Sequence, residues 1–177
     1  INRGVAHAKL GKQEQAIADY SRAIKLNPDD AFPYHKRGIV HAQRGKLDLA
    51  LEDFDKALAL EPGNVEALNN RCYARAAANV ELDGALEDCN KALALKPQGA
   101  IYDSRGLVYF RMGKFKDAAD DFSAAVNEAP KSASWLFKRG LARLRSGNES
   151  GGNADISAAR SMNVDVANEM AGYGITP

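Results

Sequence analysis

The sequence is short of the residues that usually build reactive centres. Of its 177 residues only two are Cys, three are His and one is Trp, and aromatics make up 7%. The two cysteines, Cys72 and Cys89, stand too far apart for a CxxC redox or zinc motif. They admit two readings: a disulfide where the compartment oxidises, or a pair of inert buried thiols. His35 and His41 lie six apart on one expected helix, off the three- or four-residue spacing of a shared face. His7 and His41 fill one slot in successive units, which fits packing better than metal ligation or acid–base work. No apolar run approaches the length of a membrane span. The formal net charge of +1 exerts no global pull toward nucleic acid or an anionic membrane. The stretch Ser146 to Gly152 is rich in Gly and Ser but lacks the Lys-Ser/Thr ending of a phosphate-binding loop and follows no strand. Paired carboxylates such as Asp29-Asp30 and Asp120-Asp121 are accounted for by capping and exposure. No set of nucleophile, base and orienting group emerges. The chain reads as non-catalytic, with no cofactor and no metal.

What the sequence does have is a period. Arg3, Arg37, Arg71, Arg105 and Arg139 recur every 34 residues, each followed by Gly4, Gly38, Cys72, Gly106 or Gly140. Within a unit, apolar and small residues at three- and four-residue spacing mark two amphipathic helices around a Gly turn. Such repetition is the mark of a stacked helical solenoid. The second unit is the clearest: Tyr34, Gly38, Ala50, Phe54 and Ala57 precede a helix-ending Pro62.

This pattern of an aromatic, a Gly, a mid-unit Ala, an aromatic, an Ala and a closing Pro resembles the tetratricopeptide repeat, over nearly the whole chain. The style of the repeats is more similar to bacterial members than to eukaryotic cochaperones. The resemblance implies an all-α, right-handed superhelical α-solenoid of about five helix–turn–helix repeats, as a single domain over residues 1–177. The expected repeats are 1–30 (truncated), 31–64, 65–98, 99–132 and 133–164, with a capping helix and tail over 165–177. Ile1 falls at the fifth position of the first unit and no Met opens the chain, so a trimmed or processed chain with more upstream is expected. The compartment stays open between cytoplasm and, after loss of an upstream signal, periplasm or exterior.

Two irregularities stand out. The third unit carries one extra residue between its helices, because Pro62 and Pro97 are 35 apart while Arg37 and Arg71 keep 34. The turn glycines Gly11, Gly45, Gly113 and Gly147 have Asn79 in their place there, the next-best residue for a left-handed turn. In the fifth unit, the glycines from Gly147 to Gly152 predict a late, frayed start to the second helix.

Recurrence also assigns roles. Small residues such as Ala16, Ala50, Ala85 and Ala118 let paired helices approach, and Tyr20, Phe54, Phe122 and Ile156 fill the space between them. In the third unit Cys72 replaces the Gly and Cys89 the aromatic, so one site gains volume where its neighbour loses it. Each Arg is matched by an Asp of the second helix: Asp19, Asp53, Asp88, Asp121 and Asp155. These five pairs are expected to form a structural ladder, within a repeat or to the adjacent one, because a guanidinium fork can hold a carboxylate by two parallel bonds. Five acids matched to five bases argue against a free basic stripe for nucleic acid.

In tetratricopeptide proteins the first helix of each unit lines a concave groove. The family's groove positions correspond here to Phe32, His35, Ile39 and Gln43, then Asn69, Tyr73 and Ala77, then Asp103, Leu107, Phe110 and Arg111. The fifth unit supplies Phe137, Leu141, Leu144 and Arg145, unless the C-terminal helix covers them. The implied function is a scaffold that takes a peptide or helix of a partner protein. The rivals are a self-assembly module forming homo-oligomers through the open N-terminal edge, and a regulatory docking segment of a longer protein. No repeat carries the Lys–Asn pair with which chaperone-binding members grip a C-terminal carboxylate, so that reading is disfavoured. Neither nucleic acid nor membrane insertion is expected.

Overall fold

The periodic apolar positions coil into eleven helices among the described residues, which in this computed structural model are 1–172. They run α1 (Asn2–Lys9), α2 (Gln13–Leu26), α3 (Ala31–Gln43), α4 (Leu47–Leu60), α5 (Val65–Ala78) and α6 (Leu82–Leu95). After these come α7 (Gly99–Arg111), α8 (Phe115–Glu128), α9 (Ala133–Arg145), α10 (Glu149–Met162) and α11 (Val166–Gly172). No strand occurs among these residues. Successive helices pair as hairpins, each second helix packs on the first helix of the next pair, and α5 also touches α3 and α7. The result is an all-α repeat solenoid.

The turns explain the pairing. Gly11, Gly45, Gly113 and Gly147 take φ values from 69° to 91°, the left-handed conformation that closes each first helix without a side-chain penalty. Asn79 does the same at φ 56°, and the inserted residue of the third hairpin is absorbed by a second left-handed residue, Glu81 at φ 45°. Asp30 caps α3 by accepting from the Phe32 amide at 3.0 Å, and Asn64 caps α5 through the Ala67 amide.

Packing between paired helices depends on one contact. A Cβ placed at Gly38 would stand 2.7 Å from the Phe54 ring, and one at Gly106 the same distance from the ring of Phe122. The aromatic ring therefore lies directly on the glycine backbone, fully buried in both hairpins. In the third hairpin the equivalent pair is a disulfide: Cys72 and Cys89 are joined, with Cα atoms 5.7 Å apart and both side chains without solvent exposure.

One expectation fails. α10 begins at Glu149, in register with the other second helices, and is not frayed. Asn148 caps it through the Gly151 amide at 3.0 Å, and Gly152 takes the place held by Ala elsewhere. A Cβ there would lie 2.8 Å from the Gly140 carbonyl oxygen, so tertiary contact decides in favour of glycine and outweighs its poor helix propensity. The C-terminal helix forms as α11 and packs on α9 and α10. The expected tail lies, from residue 173 onward, outside the described residues.

Candidate functional site: an ion-paired spine and a concave pocket

Two polar systems cross the stack, and they hold the helices that frame the concave face. In the first, each arginine of the series reaches the aspartate of its own hairpin. Arg37 Nε and Nη2 donate to Asp53 at 2.9 and 2.7 Å, and Arg105 to Asp121 at 2.7 and 2.8 Å. Arg71 grips Asp88 at 2.7 and 2.5 Å, and Arg139 grips Asp155 at 2.7 and 2.6 Å. Arg3 and Asp19 close the series at the N-terminal edge. The aspartates from Asp53 onward are buried, so the bidentate geometry supplies partners where water does not. The hydrogen bond to Asp53 raises the pKa of Arg37 further above its ordinary value. The bond from Arg3 holds Asp19 down at about 2.

The third nitrogen carries the spine to the neighbouring hairpin. Arg37 Nη1 donates to Ser21, Arg71 Nη1 to Asp55 and Arg105 Nη1 to Asn90, at 2.7 to 2.8 Å. Each acceptor stands two residues past the aspartate of the preceding second helix. The ladder thus runs both within and between hairpins. A second donor often joins the same carboxylate: His7 on Asp19 at 3.0 Å, Arg75 on Asp88 at 2.7 Å and Arg143 on Asp155 at 2.8 Å.

The other polar system links neighbouring first helices at an offset of 35 residues. His35 Nε2 meets Asn70 Nδ2 at 2.9 Å, and Lys138 Nζ donates to both oxygens of Asp103 at 2.7 and 2.8 Å. His35 is only 2% exposed, and burial, reinforced by the charge of Lys36, lowers its pKa to about 4. Asp103 and Lys138 are a buried pair, 8% and 6% exposed.

These contacts correct the expected groove. His35 and Asp103 do not line it, because each is turned between helices and bonded to the next hairpin. Leu107, Phe137 and Leu141 are also buried, in one apolar cluster with Val166 and Met170, so α11 helps cover that end of the stack. Phe110 is half-buried and packs edge-on against Phe115, with ring centroids 5.2 Å apart. Asn69 lies beside a smaller cavity with Val65, Gln98 and Ile101. Phe32, Gln43 and Arg145 are exposed, and Leu144 packs against Gly152.

A pocket of about 620 Å³ lies between α3, α5 and the end of α7. Ile39, Ala42, Leu47, Phe54, Tyr73 and Ala77 make its apolar wall, with Gln43, Asn70 and Arg111 as polar members. Arg111 Nε donates to the Ala76 carbonyl oxygen at 3.2 Å, which fixes the guanidinium against the C-terminal end of α5. Five of the expected groove residues therefore meet here: Ile39, Gln43, Tyr73, Ala77 and Arg111.

Family models described as "TPR repeat" and "Tetratricopeptide repeat" match residues 4–45, 31–64 and 104–151. The chain belongs to the tetratricopeptide repeat family. Its fold is similar to that of the crystal structure of MamA protein, at 22% identity over 98% of this chain and 93% of that one, TM-score 0.75. MamA from Desulfovibrio magneticus RS-1, taken from position 41 to its end, gives 19% identity, 93% coverage of each chain and a TM-score of 0.80. A tetratricopeptide repeat protein from Parabacteroides merdae ATCC 43184 gives 17% identity, covering 96% of this chain and 70% of that one, TM-score 0.76. At such identities the likeness is one of fold. No curated protein sequence matches the chain.

Family and fold support a protein-interaction scaffold. Among the described residues no helix is long and apolar enough to cross a membrane. Sequence reasoning missed the bridging acceptors Ser21, Asp55 and Asn90, although they recur two places after each aspartate. It also missed the 35-residue pairing that removes His35 and Asp103 from the groove of this tetratricopeptide array. A polar residue recurs in each of those two slots, and that was the available signal.

Proposed function

We propose that the chain is a non-catalytic scaffold that takes a segment of a partner protein into the pocket between α3, α5 and α7. The pocket carries this reading. Its volume of about 620 Å³ lies within the range of roughly 300–1,000 Å³ typical of binding sites, with a mainly apolar wall and a few directing polar groups. The stripe Phe32, Lys36, Ile39, Gln43 on α3 faces the stripe Glu66, Asn70, Tyr73, Ala77 on α5, with Lys36 and Glu66 paired at 3.8 Å. Two parallel helices with such stripes leave a trough suited to an extended peptide. The ladders beneath fix the spacing of those helices, so the trough is formed before a ligand arrives and less ordering is lost on binding.

The test is selection of displayed random dodecapeptides on the folded chain, followed by affinity measurement on Tyr73→Ala and Ala77→Arg. Enriched peptides should bind the unsubstituted chain and lose most of their affinity to Ala77→Arg, which fills the trough. Peptides that bind both variants unchanged would remove the pocket from consideration.

A further inference from the structure

We infer that the Cys72–Cys89 bond is a redox fastener of one hairpin. Its reduction by a dithiol lets α6 lift from α5 and divides the stack between the second hairpin and the fourth. The fastener is independent of what the pocket holds, and no ligand is needed to observe it. The loop that the bond closes, 17 residues from Cys72 to Cys89, lies wholly inside the third hairpin. In a stack each hairpin touches only its neighbours, so segments can open singly rather than all at once. A cross-link confined to one hairpin therefore acts on the opening of that hairpin.

Without the bond, the third hairpin has less to hold it than its neighbours have. The ring that lies on glycine in the second and fourth hairpins, Phe54 or Phe122, is absent here. Apart from the cystine, the large apolar side chains that α5 and α6 bury are Leu68 and Leu93, and their other buried apolar residues are all alanines. The turn carries two left-handed residues with a Cβ, Asn79 and Glu81, where the other hairpins carry one glycine. Arg71 and Arg75 bind Asp88 across the seam, but the Arg75 Nε is buried without an acceptor, which offsets part of that attraction. Because α5 also carries Asn70 and Ala77 of the pocket wall, its loosening reaches the concave face.

Both cysteines are without solvent exposure, so a dithiol reaches the bond only as the hairpin opens. One thiolate of the dithiol then attacks a sulfur, and the other sulfur leaves as a thiolate and takes a proton. The second thiol of the reagent loses its proton and closes on the mixed disulfide. Two electrons and two protons have passed, leaving the Cys72 and Cys89 thiols and a cyclic disulfide of the reagent.

The experiment follows amide hydrogen exchange by mass spectrometry on the full chain before and after dithiothreitol, with Cys72→Ala/Cys89→Ala and Cys72→Gly/Cys89→Phe alongside. Exchange in α5 and α6 should rise on the order of a hundredfold on reduction, as the constraint of a loop this size implies, and far less in α7 to α10. The double alanine variant should match the reduced chain without dithiothreitol. The glycine–phenylalanine variant should regain much of the protection, because it restores the packing of the second hairpin. Reduction of the native chain should be much slower than that of oxidised glutathione in the same buffer. Unchanged protection on reduction would overturn the inference, since the bond would then fasten nothing. A rise shared equally by all helices would overturn it too, because the bond would then act on the whole fold. Reduction as fast as that of oxidised glutathione would also overturn it, as the bond would be reached without opening the hairpin.

Discussion

The disulfide of the third hairpin replaces a packing contact that the second and fourth hairpins make between glycine and an aromatic ring, and the exchange can be reversed by substitution. Cys72→Gly with Cys89→Phe would recreate the arrangement of Gly38 with Phe54. Removing the bond releases a loop of 17 residues, worth about 3 kcal/mol of lost constraint on the unfolded chain. Cys89→Phe alone should cost more. A Cβ opposite the ring comes within 2.7 Å of it in the second hairpin, and such crowding typically costs about 1–3 kcal/mol. C89F should therefore be about 4–6 kcal/mol less stable than the parent, and C72G/C89F only about 3 kcal/mol, apart from the helix penalty of about 1 kcal/mol for a new glycine. The informative quantity is the coupling between the two sites in a double-substitution cycle. Urea unfolding followed by circular dichroism, with and without a thiol reductant, measures it. With reductant present, so that no variant carries the bond, a coupling of zero between the two sites would refute the reasoning, because the second hairpin would then be no guide to the third. A parent midpoint indifferent to the reductant would show that the bond contributes nothing.

Three further outcomes follow from other contacts. Lys138→Met should cost about 3–5 kcal/mol, since it strands Asp103 without its partner. Lys138→Met with Asp103→Leu should recover most of that loss, and urea midpoints of the two variants check it. The folded pKa of His35, about 4, lies below its ordinary 6.5, so the unfolded chain takes up the proton first. Stability is then full above about pH 6.5 and falls toward pH 4, by on the order of 3 kcal/mol from this group. His35→Gln should flatten part of that slope in thermal unfolding across the same range, with His41, also lowered by burial, retaining a share. Gly38→Ala should cost about 1–3 kcal/mol by pressing on Phe54, whereas Gly63→Ala, with open space around it, should cost far less; thermal midpoints distinguish them.

Much of the fold was legible because it repeats. A 34-residue period with small residues at fixed places can bury its apolar faces only by stacking hairpins, so helix number, pairing and the inserted residue near Asn79 could be placed from spacing. The arginines and aspartates were legible for the same reason: one carboxylate for each guanidinium, each kept in the register of its helix.

The groove was less legible, because family positions specify which helix face a residue occupies and not what the next hairpin does to it. His35 and Asp103 stand at positions that line grooves elsewhere, yet Asn70 and Lys138, 35 residues on, draw them between the helices. The glycines of α10 misled for a related reason: propensity is a local quantity, and the close approach of Gly140 and Leu144 to Gly152 is not.

The sequence by itself determined the repeating unit, its helices and its paired charges, since these follow from periodicity and from valence within one hairpin. Only the tertiary structure decided that Cys72 and Cys89 are joined, that Leu107, Phe137 and Leu141 are buried in the core, and that Ile39, Tyr73 and Arg111 line one pocket. Those outcomes depend on the lateral offset between hairpins, a distance across the stack that no spacing along the chain encodes.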